Sequence, residues 1–156
     1  AGPHALAVAG GADAAELARA AGVEVLIESR PSGQNQAAAA GIQHALGRGA
    51  AAVLLLSSDL PLVTGRHVAR MLSAGSALGA PAVLAAPATG RGGTNALYLA
   101  PPGAVGLHFG DGSLARYEAD AAARGIPFAL HVSPALALDL DEPDDLDRLR
   151  RMEPAG

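Results

Sequence analysis

The run "AAVLLLSSDLP", residues 51–61, joins six apolar residues to two serines, an acid and a proline. Unbroken apolar strands of this kind are buried on both faces and belong to parallel sheets flanked by helices. Pro61 turns the chain. Asp59 is thereby left at the carboxyl end of the strand, the edge where such sheets bind ligands. The neighbouring segments alternate in the same sense. Strands are expected at 5–10, 23–28, 81–87, 94–100, 127–133 and 136–141. Helices are expected at 13–22, 35–49, 64–78, 113–125 and 143–152, with Asn35, Thr64 and Ser113 at three of their starts and Pro143 in the first turn of the last. Strand and helix in alternation predict a layered α/β domain around a mostly parallel central sheet.

Composition narrows the function classes. The 156 residues fit one domain with a real core. A net charge of -4 with half the residues apolar speaks against nucleic-acid wrapping and against disorder. Cysteine is absent, which excludes disulfides and thiolate metal sites and fits a reducing cytoplasm. No apolar run is long enough to span a bilayer. All 11 basic residues are arginine, so the lysine that many nucleotide sites use as a point charge is missing.

Three further segments carry candidate chemistry. In "LALDLDEPDDL" (136–146) an extended backbone puts Leu138 and Leu140 on one face and Asp139 and Asp141 on the other, roughly 7 Å apart at about 3.3 Å per residue. Such carboxylates are either solvated or held by a cation. "GRGGTNALYL" (90–99) offers glycine backbone N–H groups, Thr94 and Asn95 as neutral donors and Arg91 as a charge, or else is a plain hairpin turn. "HFGDGSLARY" (108–117) brackets a turn with Gly110 and Gly112 before Ser113, which either faces an anion or simply caps a helix. Asp59 has its own bland alternative as a turn residue. The five histidines show no ligand spacing.

In this order and spacing, "SSDLPLV", "GGTNALYL", "HFGDGSLARY" and "LALDLDEPDDL" resemble the 2-phospho-L-lactate and phosphoenolpyruvate guanylyltransferase family of coenzyme F-420 biosynthesis, within the molybdenum-cofactor-type nucleotidyltransferases. The resemblance runs from about residue 5 to residue 149. It implies a Rossmann-like three-layer nucleotidyltransferase fold and transfer of GMP from GTP to 2-phospho-L-lactate, phosphoenolpyruvate or 3-phosphoglycerate, with release of pyrophosphate. Catalytic Mg2+, or Mn2+ in its place, would be held by Asp59, Asp139 and Asp141. The acceptor would meet Thr94, Asn95, Gly110, Ser113 and Arg91. "SGQNQA" resembles a family loop that brings Gln34 and Asn35 to the nucleotide.

The implied partners are GTP and a small phosphorylated carboxylic acid, without nucleic acid or membrane, and with room for a homodimer. The alternatives are another nucleotidyltransferase, acting on a sugar phosphate or the molybdenum cofactor, and a non-catalytic phospholigand-binding subunit. The family's first strand and its basic, lysine-bearing loop have no counterpart here. The expectation is therefore a single, N-terminally incomplete domain that holds metal and acceptor but does not transfer GMP alone. Its three acids should converge at one sheet edge, with both acceptor loops beside them.

Overall fold

A computed structural model describes residues 4–9, 12–20, 22, 24–27, 33–139 and 151. The chain forms two compact units, 1–50 and 51–156. In the first, β1 (Leu6–Ala9), α1 (Ala12–Ala20), β2 (Glu24–Ile27) and α2 (Gln34–Gly47) follow one another. β1 and β2 pair in parallel, Leu6 opposite Glu24, and α1 makes the crossover that a parallel pair requires. Alanine-rich helices approach closely here: Ala15 is fully buried, and α2 brings Gly41 to Val8. α2 starts one residue earlier than expected. Gly33, at φ 100°, is its N-cap, and Asn35 lies inside the first turn.

The second unit contains β3 (Val53–Leu56), α3 (Gly65–Ala77), β4 (Ala82–Pro87), β5 (Thr94–Ala100), α4 (Ser113–Ala123), β6 (Phe128–Leu130) and α5 (Pro134–Ala137). Its sheet has the order β3-β5-β4-β6. The α/β class holds, but this sheet is mixed where a mostly parallel one was expected. β5 runs antiparallel to both β3 and β4, and only β6 is parallel to β4. The reason is local: six residues, 88–93, separate β4 from β5, enough for a hairpin and far too few for a crossover.

The same arrangement corrects the reading of β3. Among the described residues it is a terminal strand of this sheet, half-buried, with Leu56 exposed. The strands buried throughout are β4 and β5, the two that are paired on both sides. An apolar run records hydrophobicity and not its place in the sheet, so β3 and β5 look alike in sequence. Leu84, Ala86, Ala96, Tyr98 and Ala100 form one packed face with Met71 of α3 and Leu136 of α5. Val83, Ala85, Leu97 and Leu99, pointing the other way, are also inaccessible. α3 lies against the Tyr98 ring at Gly75, where any Cβ would stand 2.5 Å from the ring.

Two end regions also differ from expectation. Residues 134–137, which include the first two residues of the expected strand 136–141, form a helical turn. Ser133 caps it, its hydroxyl accepting the Leu136 N–H at 3.4 Å, and Pro134 occupies the first turn. Leu138, which follows it, is extended and buried. Leu140, Asp141 and the expected helix 143–152, apart from Arg151, lie outside the described residues.

Candidate functional site

β3 is parallel to β4 through their shared antiparallel neighbour β5, and β6 is parallel to β4, so the ends of β3, β4 and β6 and the start of β5 meet at one edge. Asn95 stands at the centre of that edge. Its carbonyl accepts the Ser57 N–H at 3.0 Å, and its side-chain Nδ2 donates to Leu136 O at 2.9 Å and Ala137 O at 3.3 Å. Thr89 N–H adds a 2.8 Å bond to Ala137 O. Asp59 follows Ser57 by two residues and Asp139 follows Ala137 by two. The segments carrying both acids are thus fastened to one residue.

Asp59 and Asp139 each take part in interactions of their own. Among the described residues no three histidine or acidic side chains gather as a metal cluster. Asp141 lies outside those residues. Gln34 and Asn35 belong to the first unit, exposed at the start of α2.

The two glycine-rich loops are fastened to each other. Gly112 N–H donates to Arg91 O at 2.8 Å, and Leu114 N–H donates to Gly92 O at 3.0 Å. Gly90, Arg91 and Gly92 all have positive φ, at 74°, 37° and 63°. Glycine adopts this region freely, whereas arginine there is strained. Ser113 is not the cap of α4. Gly112, left-handed at φ 72°, takes that position. Ser113 is fully buried in the first helical position, and its hydroxyl donates to Thr94 Oγ1 at 3.0 Å. Thr94 and Asn95 are nearly as buried. Gly110 accepts the Ser113 N–H at 3.1 Å, closing the turn. Arg91 is exposed, 3.8 Å from the Asp111 carboxylate.

A second set of contacts, unforeseen in the sequence, holds the 106–111 loop from α4. Asp120 Oδ2 accepts from the Gly106 N–H at 2.9 Å and lies 2.9 Å from His108 Nε2, while Oδ1 accepts from Arg124 Nε at 2.7 Å. The His108 hydrogen bond, then those from Arg124 and Gly106, bring the Asp120 carboxyl down to about 2. The Tyr117 hydroxyl accepts the His108 N–H at 3.0 Å, and its ring meets His108 and Phe109 edge-on. Burial pushes that phenol up to about 12. Arg116 donates to the carbonyls of Asp111 at 2.8 Å and His108 at 3.2 Å. The available signal was the spacing of Arg116, Tyr117 and Asp120: the last two fall on one helix face, three apart, just after the loop they hold.

Known proteins are similar to this chain in sequence and in fold. Residues 6–150 match the family described as "Guanylyl transferase CofC like". The phosphoenolpyruvate guanylyltransferase of Rubrobacter xylanophilus is 41% identical over 117 residues, 75% of this chain and 56% of the relative. The 3-phospho-D-glycerate guanylyltransferase of Colwellia psychrerythraea is 34% identical over 94% of this chain and 68% of its own length. The 2-phospho-L-lactate guanylyltransferase of Methanothermobacter thermautotrophicus is 36% identical over 62% of this chain and 41% of its own. The chain spans a little over half the length of the first of these relatives. In fold it is similar to a crystal structure from Desulfovibrio desulfuricans G20 provisionally described as a nucleotide-diphospho-sugar transferase, with a TM-score of 0.65 at 19% identity over 95% of this chain and 64% of that one.

Proposed function

The chain belongs to the CofC-like guanylyl transferase family, and on that premise we propose that it transfers GMP from GTP to a small phosphorylated carboxylic acid. One observation carries the reading: the buried Ser113–Thr94 hydrogen bond joins the two loops suited to an anionic acceptor, directly beside Asn95 and the segments leading to Asp59 and Asp139. Phosphoryl-type transfer asks a protein to position two anions in line and to offset their charge. An oxygen of the acceptor phosphate forms a bond to the α-phosphorus of GTP. The bond from that phosphorus to the β-phosphate bridging oxygen breaks, and pyrophosphate leaves. No side-chain nucleophile is required.

The roles follow from residue chemistry. Carboxylate oxygens with no cysteine in the chain suit a hard cation, so Asp59 and Asp139, with Asp141, would hold Mg2+, or Mn2+ in its place. When bound, the ion offsets charge on the phosphoryl oxygens. The backbone donors around Gly110 and the residues Thr94, Asn95 and Ser113 shape the acceptor side, and Arg91 adds charge at its exposed rim. Gln34 and Asn35 are assigned to the nucleotide. The two units would act as one nucleotidyltransferase domain, a reading supported by a single family match across both. We place the protein in the cytoplasm. Among the described residues no helix is long and apolar enough to cross a membrane.

Pyrophosphate release from GTP and Mg2+ with phosphoenolpyruvate, 3-phosphoglycerate or 2-phospho-L-lactate is the test, run on the whole natural protein because the chain spans a little over half the length of a relative it matches and is not expected to transfer GMP by itself. One acid should support turnover, and Asp59→Asn should reduce it at least a hundredfold. Silence with all three, or turnover only with a sugar phosphate, would overturn the proposal.

A further inference from the structure

Outside those loops, the second unit has a cleft of about 430 Å³ between α3 and the segment that joins β6 to α5. His67 and Arg70 line one wall, while His131, Val132 and Ser133 line the other. The two α3 residues are three apart and therefore share a helix face. Leu62 and Val132 supply apolar surface, Val132 being 80% exposed.

The electrostatics of this cleft run against those of the chain. The net charge is -4, yet no aspartate or glutamate occurs from residue 60 to 110 or from 121 to 138, and every lining residue comes from those two stretches. Arg48, Arg91 and Arg124 each face a carboxylate. Arg70 is exposed and, among the described residues, has neither an ion-pair nor a hydrogen-bond partner. Its five N–H donors form a planar fork that matches phosphoryl oxygens.

The neighbours add oriented donors. His67 Nδ1 accepts the Thr64 N–H at 3.0 Å, which leaves the ring proton on Nε2. The Ser133 hydroxyl oxygen accepts the Leu136 N–H at 3.4 Å, so its own hydrogen remains available. The His131 backbone is fixed by a 2.8 Å bond from its N–H to Ala85 O. A guanidinium, two imidazoles and a hydroxyl around an open cleft with an apolar side match a compact phosphate-bearing molecule.

We propose that this cleft binds a phosphate-bearing small molecule through Arg70, His67, His131 and Ser133, apart from the acceptor loops. The claim does not rest on the proposed reaction. Titration of the chain with inorganic phosphate, followed through the backbone amide signals of His131 and Val132 and the ring of His67, tests it. Saturable shifts are expected in the parent chain. Arg70→Gln should weaken the dissociation constant about tenfold, and His131→Gln should weaken it further, while Arg91→Gln in the acceptor loop leaves these shifts in place. Because Arg70 is exposed, unchanged signals elsewhere will report that the variant is folded. Shifts that do not saturate, or an affinity unaltered by both Arg70→Gln and His131→Gln, would overturn the proposal.

Discussion

Ser113 shows how one side chain changes meaning once its surroundings are known. A serine after two glycines reads as a helix cap, but Gly112 takes the cap and the Ser113 hydroxyl turns inward to Thr94. Replacing it by alanine leaves a buried threonine oxygen without its donor, which costs about 1–2 kcal/mol. The same bond joins the two loops proposed to hold the acceptor. Ser113→Ala should therefore raise the KM for the phospho-acid several-fold while the KM for GTP stays within twofold. Steady-state kinetics with each substrate varied in turn will check this, and a change confined to GTP would contradict the assignment.

At the scale of an element, α4 anchors the loop in front of it. Its residues Arg116, Tyr117 and Asp120 bind four backbone groups between Gly106 and Asp111. Asp120 makes this anchor dependent on pH. Its carboxyl titrates at about 2 in the folded chain against an ordinary 3.8, chiefly because of the His108 hydrogen bond. As pH falls below about 4 the unfolded chain takes up the proton first, so the stabilisation is complete above that point and is lost between about 4 and 2. Partial exposure limits its size to about 1–2 kcal/mol. Urea unfolding of the parent chain and Asp120→Asn should differ by that amount at pH 6, and the gap should shrink below about pH 4 and close only as the pH falls through about 2. A gap independent of pH would show that Asp120 acts through packing alone.

On the scale of the whole molecule, local stability should follow sheet position. β5 is paired on both sides and buried along its full length, whereas β1 and β2 form a separate two-stranded sheet that is largely half-buried. Opening free energies rise with buried contact and shielded backbone bonds. Amide hydrogen exchange should be slowest in β5, next slowest in β4, and faster in β1 and β2 by at least tenfold. β3, a terminal strand of its sheet, should fall between them. Equal protection of β2 and β5 would contradict this order.

The sequence alone determined the alternation of helix and strand, the family, and the identity of the loops that meet at the sheet edge, because hydrophobic periodicity and turn chemistry act over a few residues. Thr64 was legible as a cap, and the span 94–100 as a strand, for that reason. Which strand lies at the centre was not legible, since the apolar runs of β3 and β5 are equivalent until pairing partners are known. The turn at 134–137 carried a readable signal, Ser133 followed by Pro134, but the alternation of Leu138 to Asp141 outweighed it. The inward turn of Ser113, the hold of Asp120 on His108, and the meeting of Arg70 and His131 at one cleft were decided only by tertiary structure. Each depends on residues far apart in the chain, or on neighbours whose direction the backbone sets, and no local pattern encodes that distance.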